Sequence, residues 1–182
     1  MRREEFWNRL EFFERYEKMM DSEITGILKA KFDLDIFEAD NTSDMFTITV
    51  SYPVIHGVIK ELKENPQLNF MFLTTLCGIH YPDRELPLGV VYHLHNFHEN
   101  KRVRIKTFLP SDDPTISTVT DLFATANWME RETYDFYGII FEGHPNLKRI
   151  LNVEYLDYFP MRKEFPLEDP TREDKDDRFF GR

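Results

Sequence analysis

The sequence is poor in the residues from which many reactive sites are built. One cysteine, Cys77, excludes an internal disulfide and any multi-cysteine zinc or iron–sulfur cage supplied by this chain alone. Its setting in "NFMFLTTLCGIHYP" reads as a small buried thiol on a strand. Glycine is scarce, with seven in the chain, and the phosphate-cradling and nucleophile-elbow patterns GxGxxG, GxxxxGKS/T and GxSxG do not occur. No apolar run approaches the roughly 20 residues that span a bilayer. The start, "MRREEFWNRLEFFERYEKMM", lacks the apolar core of a signal peptide. The expectation is a soluble, cytoplasmic chain that meets a membrane only through other chains.

Aromatic residues and acid are abundant instead. Aromatics make up 15% of the chain, seventeen of them Phe, more than one small core consumes, which suggests surface covered by another molecule. A net charge of −10 opposes binding to a nucleic-acid backbone. The acid is uneven: in "EFPLEDPTREDKDD", residues 164 to 177, Asp and Glu far outnumber Lys and Arg, the profile of a solvated tail.

Periodicity organises the rest. Phe6, Leu10 and Phe13 form a helical stripe within residues 3 to 20, and "DSEITGILKAKF" continues as a second helix. "MFTITVSY" alternates as a strand. Pro53 suits a first helical turn, and apolar residues at 54, 55, 58, 59 and 62 predict a helix ending at Asn65-Pro66. Three strands follow, in "NFMFLTTLCGIHY", "LGVVYHLHNF" and "RVRIKTFLP", and their short connections favour antiparallel neighbours. In the last, Val103, Ile105, Thr107 and Leu109 alternate with Arg104, Lys106 and Phe108. "SDDPTIS" reads as a break, and the spacing of Val119, Leu122, Phe123, Ala126, Met129 and Thr133 predicts a helix from about Thr118 to Tyr137, stopped by Gly138. The fold class is α+β: a largely antiparallel or mixed sheet, packed helices and an extended C-terminal tail. The expected organisation is an N-terminal helical segment (1–40), a core domain (41–145) and a Pro-rich, charged tail (146–182) that lies over a surface rather than folding alone.

The densest chemistry lies in "ERETYDFYGIIFEGHP", residues 130 to 145. Glu130 and Glu132 point to different faces of a helix, about 200° apart, and cannot act as a facing carboxylate pair. Arg131 and Asp135 have the i,i+4 spacing of an ion pair, which favours a stable anion over a tuned acid. His144 follows on a loop, with no Ser or Cys nucleophile in the stretch. "YHLHNFH" sets His93 and His95 on one strand face with His98 just beyond, a weak signal for a small metal-dependent hydrolase with an added carboxylate, since exposed or hydrogen-bonded strand histidines are the commoner explanation of such a pattern. A free-standing adaptor domain is a further alternative. The cations Lys148, Arg149, Arg162 and Lys163 sit among bulky apolar residues and require carboxylates nearby. Glu130, Glu132 and Asp135 are their natural partners, and the expected result is a clamp between helix and tail.

These residues also carry a resemblance. "ERETYDFYGIIFEGHPNLKRIL", residues 130 to 151, closely resembles the signature of the thirty-kilodalton (C) subunit family of respiratory complex I, the NADH:quinone oxidoreductase. The pattern's positions are filled by Glu130-Arg131-Glu132, Asp135, Phe136-Tyr137, His144 and Arg149. "PTISTVTDLFATANWMERE" upstream and "FPMRKEFPL" downstream are similar too, while "DYFPMRKEFP" departs from the family's usual Gly-His-Pro-Leu-Arg-Lys-Asp-Phe-Pro at Asp157 to Phe159. The similarity covers roughly residues 45 to 168. It implies a structural subunit, without catalytic, cofactor-binding or metal-ligating residues of its own, in the quinone-reducing peripheral arm of proton-pumping NADH:quinone oxidoreductase. On that resemblance its partners are the forty-nine-kilodalton (D) subunit and the B and I subunits, which carry iron–sulfur clusters with quinone nearby, at the cytoplasmic face of a bacterial inner membrane. Related scaffolds serve membrane-bound hydrogenases and photosynthetic complex I, leaving the electron donor open. Glu130, Arg131, Glu132, Asp135, His144, Arg149, Arg162 and Lys163 are the expected structural and interface residues.

Overall fold

In the computed structural model, residues 21–32, 37–40 and 45–165 are described. The helix expected over residues 3 to 20 and the acidic stretch beyond Phe165 lie outside them. Residues 21–31 are helical (α1), burying Ile24 and Leu28. The strands are β1 (Phe37–Asp40), β2 (Thr47–Val50), β3 (Phe72–His80), β4 (Leu88–Asn96) and β5 (Lys101–Leu109), with α2 (Ile55–Glu64) between β2 and β3.

Local sequence accounts for the limits of α2. Pro53 lies in a 3-10 turn, Tyr52–Val54, that leads into the helix, where its missing N–H costs nothing. Ile55, Val58, Ile59 and Leu62 fall on one face and are buried. Asn65 ends the helix: its N–H reaches Glu61 O at 3.0 Å, its Nδ2 reaches Glu61 Oε1 at 2.8 Å, and Pro66 prevents continuation. A Lys31–Glu61 ion pair ties α1 to α2.

The sheet order is β1-β2-β5-β4-β3. β3 and β4, β4 and β5, and β1 and β2 are antiparallel, whereas β2 runs parallel to β5. Asn96 shapes the β4–β5 turn: its Oδ1 accepts from His98 and Glu99 N–H groups while Nδ2 donates to Leu68 O at 2.8 Å. One sheet face carries Leu88, Val90, Tyr92 and Leu94 of β4 with Val103, Ile105 and Leu109 of β5, all at 1% exposure or less. These residues form a single core with Ile24 and Leu28 of α1 and the buried face of α2.

The last helix among the described residues, α3 (Ala126–Tyr137), begins later than its apolar spacing suggests. Residues 118–125 are not helical, with turns at 120–122 and 124–125: Phe123 N–H reaches Val119 O at 2.9 Å and Ala126 N–H reaches Phe123 O at 3.0 Å. Val119, Leu122 and Phe123 are buried without being helical, so apolar spacing reported their burial and not their backbone. The "SDDPTIS" break contains a strand, β6 (Thr115–Ser117), which pairs in parallel with β7 (Ile140–Glu142). Three-residue strands are too short to show alternation. β1 is likewise unmarked by any clear pattern. Cys77 is exposed rather than buried, because its parity on edge strand β3 turns it away from the core that Leu76 enters.

α3 packs closely on β3 because Gly78 leaves room for it. A Cβ at Gly78 would come within 2.3 Å of the Tyr137 ring. Beyond α3, residues 143–165 contain turns but no helix or strand, and they cross back over the helix as a strap.

Candidate functional site

Gly138 creates the site. Its φ of 74° is the left-handed conformation that ends α3, and its N–H reaches Tyr134 O at 2.8 Å. The chain then turns through β7 and a second left-handed glycine, Gly143 (φ 83°), and returns along α3 as the strap.

Asp135 is the anchor, with no solvent exposure. Its Oδ2 accepts the N–H groups of Ile150 (3.0 Å), Leu151 (2.8 Å) and Asn152 (2.8 Å), so three successive strap amides converge on one carboxylate oxygen. Its Oδ1 accepts from Arg149 Nη1 at 2.8 Å and from Asn152 Nδ2 at 3.1 Å. Burial opposes ionisation, but the Asn152 and Leu151 amides, the Arg149 guanidinium and the Ile150 amide outweigh it and hold the carboxyl well below the usual carboxylate range.

Arg149 extends the network. Nη1 also donates to Asp135 O at 2.9 Å, and Nη2 donates to Leu156 O (2.8 Å) and Tyr158 O (3.1 Å). The guanidinium lies 5.1 Å from the Phe159 ring centroid, and Arg162 lies 4.9 Å from the same ring. Phe159 itself fills the space above Gly138, where a Cβ would meet it at 2.4 Å. The segment Asp157 to Phe159, where the sequence departs from the family's usual pattern, thus supplies a carbonyl and a ring to the same network.

The other expected residues divide. Arg131 does not pair with Asp135; it donates to Lys148 O (3.2 Å) and Arg149 O (3.3 Å) and stacks near Trp128. The i,i+4 contact loses because Asp135 points toward the strap, where Arg149 and three amides satisfy it. Arg162 Nε donates to Tyr137 O at 2.8 Å, and its Nη1 lies 4.0 Å from Glu164. Lys163 contributes its backbone N–H to His80 Nδ1 at 2.9 Å. His144 uses both nitrogens: Nδ1 accepts from Asn146 N–H at 3.0 Å, leaving Nε2 to donate to Asn127 O at 3.1 Å.

Neither glutamate meets the strap cations. Glu132 is exposed on α3 near Cys77; partial desolvation of that thiol, and to a smaller extent the Glu132 charge, push its pKa up. Glu130 is fully buried and faces the segment before α3. It accepts from Val119 N–H at 2.8 Å and Thr118 Oγ1 at 2.5 Å. Burial raises its pKa to about 7 against these two hydrogen bonds, with Asp121 adding to the rise. Asn152, Phe159 and Thr118 are the participants that sequence reasoning missed, since none has a charge or a fixed helical spacing to mark it.

The imidazoles considered for metal are held otherwise. His93 Nε2 accepts from Arg104 Nε at 2.9 Å, and His95 stacks against Phe97 at 4.4 Å between centroids. Among the described residues no group of three or more His, Cys, Asp or Glu is placed to hold a metal ion. Among them also, no helix is long and apolar enough to cross a membrane.

Residues 48–171 match the respiratory-chain NADH dehydrogenase 30 Kd subunit family. The chain belongs to that family. The span agrees with the resemblance read between residues 45 and 168 and contains every residue of the strap network described above. The chain is 42% identical over 124 residues to the C subunit of NADH-quinone oxidoreductase from Methylobacterium sp. (strain 4-46), covering 68% of this chain and 57% of the relative. It is 44% identical to the C subunit of Herpetosiphon aurantiacus, covering 70% and 74%, and 50% identical to the C 2 subunit of Rhizobium meliloti, covering 58% and 58%. It therefore spans less than two thirds of the Methylobacterium and Rhizobium relatives. The trypsin-resistant fragment (1–134) of Nqo5 superposes with a TM-score of 0.58 at 29% identity, over 69% of this chain and 98% of the fragment. A chain of the membrane-bound sulfane sulfur reductase, an archaeal respiratory membrane complex, shares the fold with a TM-score of 0.66 at 24% identity, over 80% and 85%.

Proposed function

We propose that the chain is a structural subunit of a quinone-reducing, ion-translocating NADH dehydrogenase, presenting a rigid docking plate to the subunits that carry electrons. The observation that carries this reading is the Asp135–Arg149 network, which fastens an otherwise irregular strap to α3. The fastening matters because the strap's outer residues are apolar: Leu151, Val153, Tyr155 and Met161 are 65%, 48%, 86% and 43% exposed, and Trp128 of α3 is 62% exposed. Large exposed apolar side chains held in one conformation suit a protein partner, since the ordering entropy is already spent within the fold. The proposed partners are the D subunit and the cluster-bearing B and I subunits of the peripheral arm, at the cytoplasmic face of the membrane. The iron–sulfur clusters and quinone then belong to those neighbours, and this chain contributes geometry.

Arg149→Ala tests the reading. The expected result is less assembled complex with nearly normal quinone reduction per assembled complex. Full assembly with slow turnover would overturn it.

A further inference from the structure

The two edges of the five-stranded sheet are built differently. β1, at one edge, is four residues long, and two of the four, Glu38 and Asp40, are acids. Short, charged edge strands discourage further pairing. β3, at the other edge, runs for nine residues, Phe72–His80, without a Lys, Arg, Asp, Glu or Pro. Its one irregularity is a register shift between Leu73 and Thr75, after which it pairs with β4 in unbroken register. Alternate residues of an edge strand turn their N–H and C=O groups away from the sheet. Among the described residues, Thr75–Gly78 make no backbone hydrogen bond besides those to β4.

A groove lies beside this edge. It is lined by Leu76 and Cys77 of β3, Glu132, Thr133 and Phe136 of α3, and Met161 of the strap. None of its lining comes from β4, so it opens on the free side of β3. Its volume of about 190 Å³ falls short of the roughly 300–1,000 Å³ of pockets that enclose small organic ligands, and suits a single side chain. The lining is mainly apolar. Glu132 at its rim is exposed and pairs with no cation among the described residues.

We propose that the free edge of β3 takes an extended segment of a neighbouring polypeptide as a sixth strand, with one aliphatic side chain in the groove and a Lys or Arg beside Glu132. Backbone pairing supplies the attachment and the groove supplies the selectivity, the division of labour wherever a peptide adds to a sheet edge. Same-side residues of the added strand are about 6.8 Å apart, so one can fill the groove while the next meets Glu132. Charge decides against two nearer occupants. The acidic stretch of residues 164–177 would bring mainly carboxylates to Glu132, and a second copy paired through β3 would bring no cation, since β3 has none. That the segment belongs to another polypeptide rests on the proposed place in a multi-subunit complex; the strand addition itself rests on β3 and its groove.

The isolated full chain tests the strand addition. The peptide Ser-Val-Thr-Val-Thr-Lys-Thr-Ser should slow amide exchange within Thr75–Gly78. For a Kd of about 1 mM, about 2 mM peptide slows it threefold. Replacing its Lys with Glu should weaken the effect, and N-methylating its central Val and Thr should abolish it by removing the donors. No slowing, or equal slowing by all three peptides, rejects the proposal. In the native complex, isolated through this chain, a benzophenone carried on Cys77 should cross-link to another polypeptide. A product confined to this chain's own residues or joined to a second copy overturns the proposed occupant, as does the lack of any product. If no other polypeptide co-purifies, the docking-plate reading fails separately, and the three peptides still decide whether β3 accepts a strand.

Discussion

Arg149 Nη1 donates to both the side chain and the backbone of Asp135, at 2.8 Å to Oδ1 and 2.9 Å to the carbonyl oxygen. One planar cation thus ties the anion and the last turn of α3 together. With its other nitrogen it holds two strap carbonyls. Four such contacts need the fixed fork of a guanidinium.

Arg149→Lys should therefore fail to restore what Arg149→Ala removes. A lysine ammonium can satisfy Asp135 or the Leu156 and Tyr158 carbonyls, not all of them at once. Breaking a buried pair of this kind costs about 3 kcal/mol or more, so both variants should lower the urea midpoint, Lys nearly as much as Ala. A lysine variant of native stability would show that charge alone, and not the fork, matters.

Glu130 makes stability depend on pH near neutrality. Its carboxyl titrates at about 7 in the folded protein against 4.5 for an ordinary glutamate. Below about 4.5 both states are protonated and the full contribution is present. Between there and 7 the unfolded chain gives up a proton that the folded chain keeps, so stability declines as pH rises. The loss amounts to about 3 kcal/mol. Glu130→Gln keeps an acceptor for Val119 N–H and a donor for Thr118, so it should flatten the unfolding free energy between pH 5 and 8. An unchanged slope would locate the titrating group elsewhere.

Asp135 sets the acid edge with the opposite sign. Its carboxyl is depressed by strap amides and Arg149, so its contribution is present above the ordinary aspartate range and disappears as pH falls below it. On acidification the amides of Ile150, Leu151 and Asn152 should lose their protection against exchange, relative to the intrinsic rate at each pH, before the core strands do. Simultaneous loss throughout would mean that the strap and core unfold as one unit.

Gly138→Ala should destabilise on two counts. A left-handed residue with a Cβ costs about 1–2 kcal/mol, and the added carbon meets Phe159 at 2.4 Å. Pairing it with Phe159→Leu should recover the steric part and leave the backbone part. Thermal unfolding of the two variants separates them; no recovery in the double variant would deny the contact.

Cys77 should react with a neutral maleimide without prior unfolding, since it is exposed. Although the residue is exposed, partial desolvation beside α3 raises its pKa, with a smaller push from the Glu132 charge, so labelling should be slow at neutral pH and accelerate as pH rises. Glu132→Gln should move that profile to lower pH. A profile unaffected by the substitution would separate Glu132 from the thiol.

The sequence alone determined whatever depends on near neighbours. Alternation in β5 and the 3.6-residue spacing of Ile55, Val58, Ile59 and Leu62 state which side of an element is buried, because period and burial follow from backbone geometry within a few residues. Gly138 announced the end of α3 for the same reason, and the run from Glu130 to Leu151 was long enough to indicate the family. Only the tertiary structure decided who meets whom. Asp135 takes Arg149, fourteen residues on, over Arg131 at four; Glu130 takes Thr118 and Val119 instead of a cation; β2 lies parallel to β5. Such choices follow from desolvation and from hydrogen-bond satisfaction across the assembled core, where a buried carboxylate must find all its donors at once, and spacing along the chain does not encode which donors arrive.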